Sequence, residues 1–300
     1  MATSTHRAAV AQLCVLSMLV APLLAQPPPA PPTTPPPVRA ERIAEGLYLL
    51  TGGGGANSTL LLDASGSLLV DSKSATAAPE IVALVASLGG GPLRYLVNGH
   101  VHPDHTGGNE ALGKLGVTIV AHEETRAVLA AGQRGGPPAP PIALPALTFP
   151  DSGGVTLHVG GKRVDVMHAP PAHTHDNSIV HYVDANVLHL GDLFSPSRYQ
   201  LIAGGTFQGF IDAADVALKL ANDDTKIVPG VGAVSSRADL VAYRGMLVTV
   251  RDRVAALVRD GNSLEEVVAA KPTAEFDARW GSPDHMLFLP AIYAELAGRR

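Results

Sequence analysis

The sequence has almost no cysteine: of its 300 residues only Cys14 carries a thiol, and Cys14 lies in an apolar segment near the amino terminus. If that segment is removed on export, the mature protein contains no thiol. Structural disulfides, cysteine nucleophiles and thiolate metal ligands are then excluded together.

Basic clusters and two common catalytic motifs are also missing. The formal net charge is −5 and the charges are spread along the chain, so no surface for nucleic acid is expected. The glycine run 52–55 lies between two predicted strands without a G-K-[ST] motif, which favours a hairpin over a phosphate loop. A G-x-S-x-G serine elbow is absent too. The sequence therefore predicts no nucleic-acid partner, and it shows neither a phosphate loop nor a serine elbow.

The amino-terminal region is predicted to lie outside the globular domain. Residues 1–25 have a polar start with Arg7 and then an apolar run, which is typical of a cleaved secretory signal peptide. The run approaches the roughly 17–25 residues that span a bilayer, so an uncleaved anchor is the alternative. Residues 26–40 are rich in proline and predict a polyproline II linker. We expect a periplasmic or secreted protein with no stable membrane span after cleavage and one globular domain over residues 41–300.

The remaining sequence predicts an α/β fold, because strands followed by helices occur twice along it. In the second half, helices are predicted from about Phe210 to Ala221 and from Arg237 to Arg259. The segment Gly132 to Pro150 holds so many glycines and prolines that a long loop without regular structure is predicted.

Histidine is abundant, and one short segment, VNGHVHPDHTGGNE, concentrates four potential metal ligands: His100, His102, Asp104 and His105. In an extended chain His100 and His102 point to the same side, because side chains alternate with a period of two. Pro103 is expected to end the strand and to turn the two residues after it towards a neighbouring position. Imidazole and carboxylate are typical zinc ligands, so the segment predicts a zinc site.

This segment resembles the H-x-H-x-D-H signature of the metallo-β-lactamase superfamily. Three further segments are similar to that family in the same order: APPAHTHDNSIVHY, NVLHLGDLF and TKIVPGVGAVSSRADLVAYRGML. The resemblance covers about Ile43 to Leu247. It implies a four-layer αβ/βα sandwich, with two sheets back to back and helices outside.

The resemblance also implies a set of metal ligands, one or two zinc ions and a catalytic residue. The ligands are His100, His102 and His173 for a first zinc ion, and Asp104, His105 and Asp192 for a second. Asp192 would bridge the two ions, and Asp104 would be catalytic by orienting the attacking group. Members of the family carry a histidine where this chain has Val231, and valine cannot bind a metal.

Three interpretations of Val231 follow. The second zinc site is weak or empty, which leaves a single-zinc enzyme. Another group, such as His175 or a water molecule, completes that site. Or the chain is a variant with reduced or lost catalysis, which would make it a metal-binding accessory protein.

Other residues receive weaker assignments. By the resemblance, Asp71 would accept a hydrogen bond from a ligand imidazole and fix its tautomer, with a helix-cap or turn role as the alternative. His168 and His189 lie on apolar predicted strands and are expected to be packed, hydrogen-bonded residues of the core or partners of the ligands. No role is assigned to the remaining histidines of the globular part: His122, His158, His181 and His285.

The implied reaction is hydrolysis of a lactam, lactone, ester or thioester. Zinc with three protein ligands and an open position lowers the pKa of bound water to about 7, so a metal-bound hydroxide would attack the carbonyl. β-Lactamase activity is the leading specific prediction, because an exported enzyme meets penicillin-like drugs whereas glutathione thioesters are cytosolic. His102 argues against the iron-dependent members of the family, which usually carry glutamate at that position.

Overall fold

The computed structural model describes residues 35–283 and 288–298. The predicted signal peptide, the first part of the predicted linker, Cys14 and His285 lie outside the described residues. Within the described ranges, no helix combines the length and the hydropathy that a membrane span requires.

Seven strands of the described chain form a first sheet in their chain order. They are β1 (Arg39–Ala44), β2 (Leu47–Thr51), β3 (Ser58–Leu61), β4 (Ser67–Val70), β5 (Leu93–Val97), β6 (Thr118–His122) and β7 (Leu147–Phe149). Neighbours are antiparallel from β1 to β4 and parallel from β4 to β7. The carboxyl ends of β4, β5 and β6 therefore lie at one edge of the sheet.

Six strands form a second sheet in the order β13-β12-β11-β10-β9-β8 within the described ranges. They are β8 (Gly154–Val159), β9 (Lys162–His168), β10 (Ser178–Tyr182), β11 (Val187–Gly191), β12 (Lys226–Pro229) and β13 (Ser235–Ser236). β11 and β12 are parallel, and the other neighbours are antiparallel. The carboxyl ends of β11 and β12 consequently share an edge.

The helices cover the outer faces of the two sheets. They are α1 (Ala78–Ser87), α2 (Pro103–Thr106), α3 (Asn109–Gly113), α4 (Glu123–Ala131), α5 (Phe207–Leu220), α6 (Arg237–Arg259), α7 (Leu264–Ala269), α8 (Asp277–Trp280) and α9 (Phe288–Ala297). An apolar cluster with Leu47, Val70, Val166 and Val180 fills the space between the sheets. Separate clusters pack α1 and α3 on the first sheet and α5, α6 and α9 on the second. The predicted four-layer αβ/βα sandwich is confirmed.

Two local predictions about regular structure were wrong. Within the segment predicted to be an irregular loop, the proline-free residues Leu147–Phe149 form β7, because they pair with the parallel strand β6. α5 begins at Phe207, three residues before the predicted start, since Thr206 Oγ1 accepts a hydrogen bond from the Gly209 N–H at 2.9 Å. By contrast, α6 has the predicted bounds and begins at a Ser236–Asp239 capping box.

Two boundaries near the predicted functional segments also differ from expectation. β1 begins at Arg39, so it includes the last two residues of the predicted linker. β5 ends at Val97, so His100 and His102 lie in the following loop and not in extended strand. Pro103 is the first residue of the one-turn helix α2, a position where its missing N–H leaves no hydrogen bond unmade.

Candidate metal centre

The predicted ligands follow the carboxyl ends of strands in both sheets. His100 and His102 lie in the loop after β5, and Asp192 directly follows β11. His173 lies in the loop between β9 and β10. Carboxyl ends of parallel strands are where α/β folds commonly place ligand sites, and here both sheets contribute side chains to one place.

Three imidazoles converge on one point. Nδ1 of His102 lies 3.0 Å from Nε2 of His100 and 2.9 Å from Nε2 of His173. Nitrogens bound to one tetrahedral zinc ion at 2.0–2.1 Å lie roughly 3.4 Å apart, so only small shifts would bring these three to coordination distance. The donor set fits the first predicted zinc site.

A second group of ligand atoms lies beside the first. Nε2 of His105 is 3.7 Å from Oδ2 of Asp104 and 3.8 Å from Oδ1 of Asp192. His105 Nε2 and Asp192 Oδ1 are both buried and have no hydrogen-bond partner among the described residues. Leaving a buried polar atom unsatisfied costs about 1–3 kcal/mol, and a cation bound between these two atoms would satisfy both. This donor set fits a second ion.

Asp192 lies between the two groups of potential ligand atoms, whereas Asp104 lies beside the second group only. Oδ2 of Asp192 is 3.4 Å from Nε2 of His173, so this carboxylate faces both groups, as expected of a bridging ligand. His100 also borders both, because its ring centroid lies 3.9 Å from that of His105. The Asp104 side chain is 49% exposed and lies at the open side of the second group.

Hydrogen bonds on the outer nitrogens orient two of the predicted ligands. Nδ1 of His105 donates to Oδ2 of Asp71 at 2.7 Å, the contact expected of Asp71 if His105 is a ligand. Nδ1 of His173 donates to the carbonyl oxygen of Leu201 at 2.7 Å. With the outer nitrogen held by its hydrogen bond, Nε2 of each ring is the atom directed at the candidate site.

Asp71 is the centre of a fully buried polar network. Its Oδ1 accepts the Gly99 N–H at 2.7 Å, and its Oδ2 also lies 3.2 Å from Nε2 of His189. Nδ1 of His189 in turn lies 3.2 Å from Oγ1 of Thr59. His189 is thus a buried partner of the residue that orients His105, in line with its predicted role.

The electrostatics of the site favour a cation beside His105. Burial disfavours the charged form of Asp71, but His105 and His189 hold the pKa of this carboxyl well below its usual range. Burial also opposes protonation of His105, yet Asp71 and the other nearby carboxylates raise its pKa to about 9, so a metal ion bound at Nε2 would take the place of a proton there. Burial and the neighbouring histidines keep the pKa of His100 well below its ordinary value, so this ring is neutral and able to bind a metal at pH 7.

Residue 231 lies in the turn that packs against Asp192. A β-carbon at Gly230 would lie 2.0 Å from Oδ1 of Asp192, so only glycine allows this close approach. Val231 follows and its side chain is 40% exposed. Because a valine side chain has no donor atom, position 231 contributes no ligand.

A cleft adjoins the first group of ligands. It has a volume of about 320 Å³, and its lining includes His102, Glu124, Gln133, Thr174, His175 and Asp176. His175 is exposed and belongs to neither compact group of ligand atoms. The structure therefore gives no support to His175 as the replacement for the histidine missing at position 231.

A separate cluster of His122, Asp151 and His168 brings three potential ligands together but does not fit an ion. Nδ1 of His122 accepts the Glu124 N–H at 3.3 Å, so Nε2 carries the proton and has no free lone pair. The rings of His122 and His168 are stacked with centroids 4.3 Å apart and planes 19° apart. Lone pairs in nearly parallel planes do not converge on one ion.

Sequence reasoning missed the residues that support the ligands from outside the motifs. Lys73 and Asn57 are buried polar residues in loops beside the site. Lys73 could have been noticed in the sequence, because it lies two residues after Asp71, the predicted functional aspartate that follows β4. Asn57 has no comparable signal, because asparagine after a glycine run is common in turns.

Comparison with known proteins identifies the family. The family model of the metallo-β-lactamase superfamily matches residues 51–232, more than half of the chain. Similar solved structures include a metallo-β-lactamase from Pontibacter korlensis, at 21% identity and a TM-score of 0.59, covering 70% of this chain and 98% of that chain. Another is a metallo-β-lactamase from Hirschia baltica, at 24% identity and a TM-score of 0.60, covering 71% of this chain and 98% of that chain. A third is the DIM-1 metallo-β-lactamase, at 21% identity and a TM-score of 0.60, covering 72% of this chain and 99% of that chain.

At these identities the solved structures show a shared fold, whereas the match over residues 51–232 shows the family. The two adjacent groups of histidine and aspartate side chains provide the site that such a fold needs for a divalent metal. The chain belongs to the metallo-β-lactamase superfamily and is a metallo-hydrolase.

Proposed function

We propose that this protein is a zinc-dependent hydrolase of small carbonyl compounds and that β-lactams are its leading substrate class. The observation that carries the proposal is the position of His102 Nδ1, 3.0 and 2.9 Å from the inner nitrogens of His100 and His173. A zinc ion bound there supplies a Lewis acid and lowers the pKa of water to about 7.

The protein's own groups would orient and accept protons around that ion. Asp104 is the proposed catalytic residue: its half-exposed carboxylate lies at the open side of the site and can accept a hydrogen bond from the attacking water. Asp71 and the Leu201 carbonyl keep His105 and His173 in the tautomers that present a lone pair. These contacts hold the ligands in place before substrate arrives.

We propose that a second zinc ion binds weakly. Asp104, His105 and Asp192 are its proposed ligands, and Asp192 is shared with the first ion. Zinc sites usually have three or four protein ligands, whereas here only Asp104 and His105 would belong to the second ion alone, because Asp192 would be shared and Val231 has no donor atom. One tightly bound ion and a second of lower affinity is the state expected near neutral pH.

The cleft beside His102 is the proposed substrate site. Its volume of about 320 Å³ lies at the small end of the range for ligand pockets, which supports a small molecule as substrate. Glu124 and Asp176 contribute carboxylates to its lining, and no lysine or arginine is among the described lining residues. This charge favours substrates with a positively charged or hydrogen-donating group next to the carbonyl.

The proposed location is the periplasm or the exterior of the cell. It rests on the signal-like character of residues 1–25 and on the proline-rich segment that follows. An exported hydrolase meets β-lactams and does not meet cytosolic glutathione thioesters, which is why β-lactams lead among the carbonyl substrates.

A substrate panel combined with metal analysis tests the proposal. The purified protein is assayed for zinc by mass spectrometry and for hydrolysis of nitrocefin, a lactone and a thioester, before and after chelation. We expect at least one zinc ion per chain and β-lactam hydrolysis that chelation abolishes and zinc restores. Bound zinc without hydrolysis of any compound, in both the wild type and Val231→His, would instead favour a metal-binding accessory protein.

A further inference from the structure

Lys73 is a buried cation behind the candidate metal centre. It lies two residues after Asp71, is 0% exposed, and has a φ of +59°, in the left-handed region that residues other than glycine seldom adopt. Burial lowers its pKa to about 8, and Asp71 partly offsets that effect. A buried ammonium group and a left-handed backbone both cost free energy, so their presence calls for a compensating contact.

The contact that Lys73 makes is with the loop between β2 and β3. Its Nζ donates a hydrogen bond to the carbonyl oxygen of Ala56. The loop lies directly on Lys73, because a β-carbon at Gly55 would be 2.7 Å from Lys73 Cα and 2.8 Å from the carbonyl oxygen of Asp104. Only glycine at position 55 allows this packing.

The same loop is hydrogen-bonded to both segments that border the second metal site. The Ala56 N–H donates to the Asp104 carbonyl oxygen at 3.2 Å, and the Asn57 N–H donates to the Gly230 carbonyl oxygen at 2.7 Å. The Asn57 side-chain amide donates to the carbonyl oxygens of Pro229 at 2.9 Å and Gly232 at 2.8 Å. Two consecutive residues thus connect the helix of Asp104 to the turn of Val231.

We propose that Lys73 is a positioning residue of the metal centre: by holding the Ala56 carbonyl it fixes the Ala56–Asn57 segment, which sets the positions of Asp104 and of the 229–232 turn. The part of this inference that concerns catalysis rests on the proposed hydrolase function. Asp104 depends on such support because its carboxylate is half exposed and its nearest charged neighbour, His105 Nε2, is 3.7 Å away.

Lys162 provides a matched control. Its Nζ also donates to a backbone carbonyl, that of Glu45 at 2.7 Å, but Lys162 is only partly buried and its hydrogen bond links β9 to the β1–β2 turn, away from the metal centre. Lys73→Met and Lys162→Met therefore each remove one ammonium-to-carbonyl hydrogen bond while keeping an unbranched side chain. Lys73→Gln, which retains a donor for the Ala56 carbonyl, tests rescue and serves as the second variant if Lys73→Met fails to fold.

The first readout is amide hydrogen exchange in the metal-free protein. We expect the Ala56 and Asn57 amides to exchange at least tenfold faster in Lys73→Met than in the wild type, with Lys73→Gln intermediate and Lys162→Met unchanged. Unaltered protection of both amides in Lys73→Met, or an equal loss in Lys162→Met, would overturn the proposal. This readout needs neither zinc nor substrate, so it separates failure of this inference from failure of the proposed function.

The second readout is steady-state hydrolysis with zinc present. We expect kcat of Lys73→Met to fall at least tenfold with KM within twofold, because Asp104 would act on the bound substrate and not on its capture. Zinc bound by the three histidines is expected to stay at the wild-type level. If kcat fell only in proportion to the zinc content, loss of metal would explain it and a positioning role for Lys73 would be contradicted. An unchanged kcat would contradict that role as well.

Discussion

Asp71 and His105 form a fully buried pair in which the imidazole Nδ1 lies 2.7 Å from the carboxylate Oδ2 and both side chains are 0% exposed. The hydrogen bond leaves Nε2 of His105 facing Asp192 without a partner. A buried carboxylate that orients a ligand imidazole raises the basicity of the inner nitrogen and fixes its direction. The pair therefore prepares the second half of the site before any ion is bound.

The first prediction concerns this pair. Asp71→Asn keeps the shape of the side chain but removes its charge, so His105 loses its preferred tautomer. We expect zinc affinity to fall about 10- to 100-fold, the usual effect of removing such a partner, measured by competition with a chromogenic chelator. Asp165→Asn, at a surface carboxylate paired with Arg163, is the control and should bind zinc like the wild type. Equal affinity in all three proteins would show that Asp71 does not act through His105.

The second prediction concerns Val231. Val231→His places an imidazole in the turn that packs on Asp192, so we expect a second equivalent of zinc to bind and nitrocefin turnover to rise at least severalfold. Val231→Ala changes the size of the side chain without adding a ligand and should change neither quantity. If Val231→His gains no metal in a titration followed by mass spectrometry, the ligand role inferred for that position is wrong.

The third prediction concerns pH and follows from Lys73. In the folded protein the pKa of this amine is lowered from 10.5 to about 8, so between these pH values the unfolded chain binds more protons than the folded one. The contribution of Lys73 to the free energy of unfolding therefore becomes more favourable to the folded state as the pH rises across this window. The total change is on the order of 3 kcal/mol. Urea unfolding from pH 7.5 to 10.5 should show this rise in the wild type and in Lys162→Met and not in Lys73→Met. Parallel pH profiles for the wild type and Lys73→Met would contradict it.

The fourth prediction concerns substrate charge. Glu124 lines the cleft beside His102, so a β-lactam with a free amino group next to its amide should have a lower KM than the matched compound without that group. Glu124→Gln should reduce this preference severalfold while leaving kcat unchanged. Glu110→Gln, at a surface carboxylate paired with Lys114, is the control. A preference that survives Glu124→Gln would show that this carboxylate does not contact the substrate.

Much of the fold was predictable because strands and helices are marked by local pattern. The Ser236–Asp239 capping box marks the start of α6 in the sequence itself. β7 was not predictable, since Leu147–Phe149 becomes a strand only by pairing with β6, across a segment rich in glycine and proline. Pairing between distant segments has no local signature.

The same distinction holds for the site. The ligands of the H-x-H-x-D-H segment are adjacent in sequence, so their pattern alone indicates a metal. The supporting contacts of Asn57 join it to residues 172 and 175 positions away, and nothing near residue 57 in the sequence records them. The partial exposure of Val231 is likewise a property of the folded turn.

The most direct test of the central claim is the zinc content of His102→Ala beside that of His158→Ala, a histidine exposed on β8. Both proteins are purified in parallel, exchanged into buffer with a weak chelator, and assayed for bound zinc and nitrocefin hydrolysis. The account predicts that His102→Ala loses its tightly bound zinc and at least 99% of turnover (about two orders of magnitude, the upper end of the loss expected when only the hydrogen-bond partner of a ligand is removed) while His158→Ala keeps both. Full zinc content and unchanged turnover in His102→Ala would contradict it.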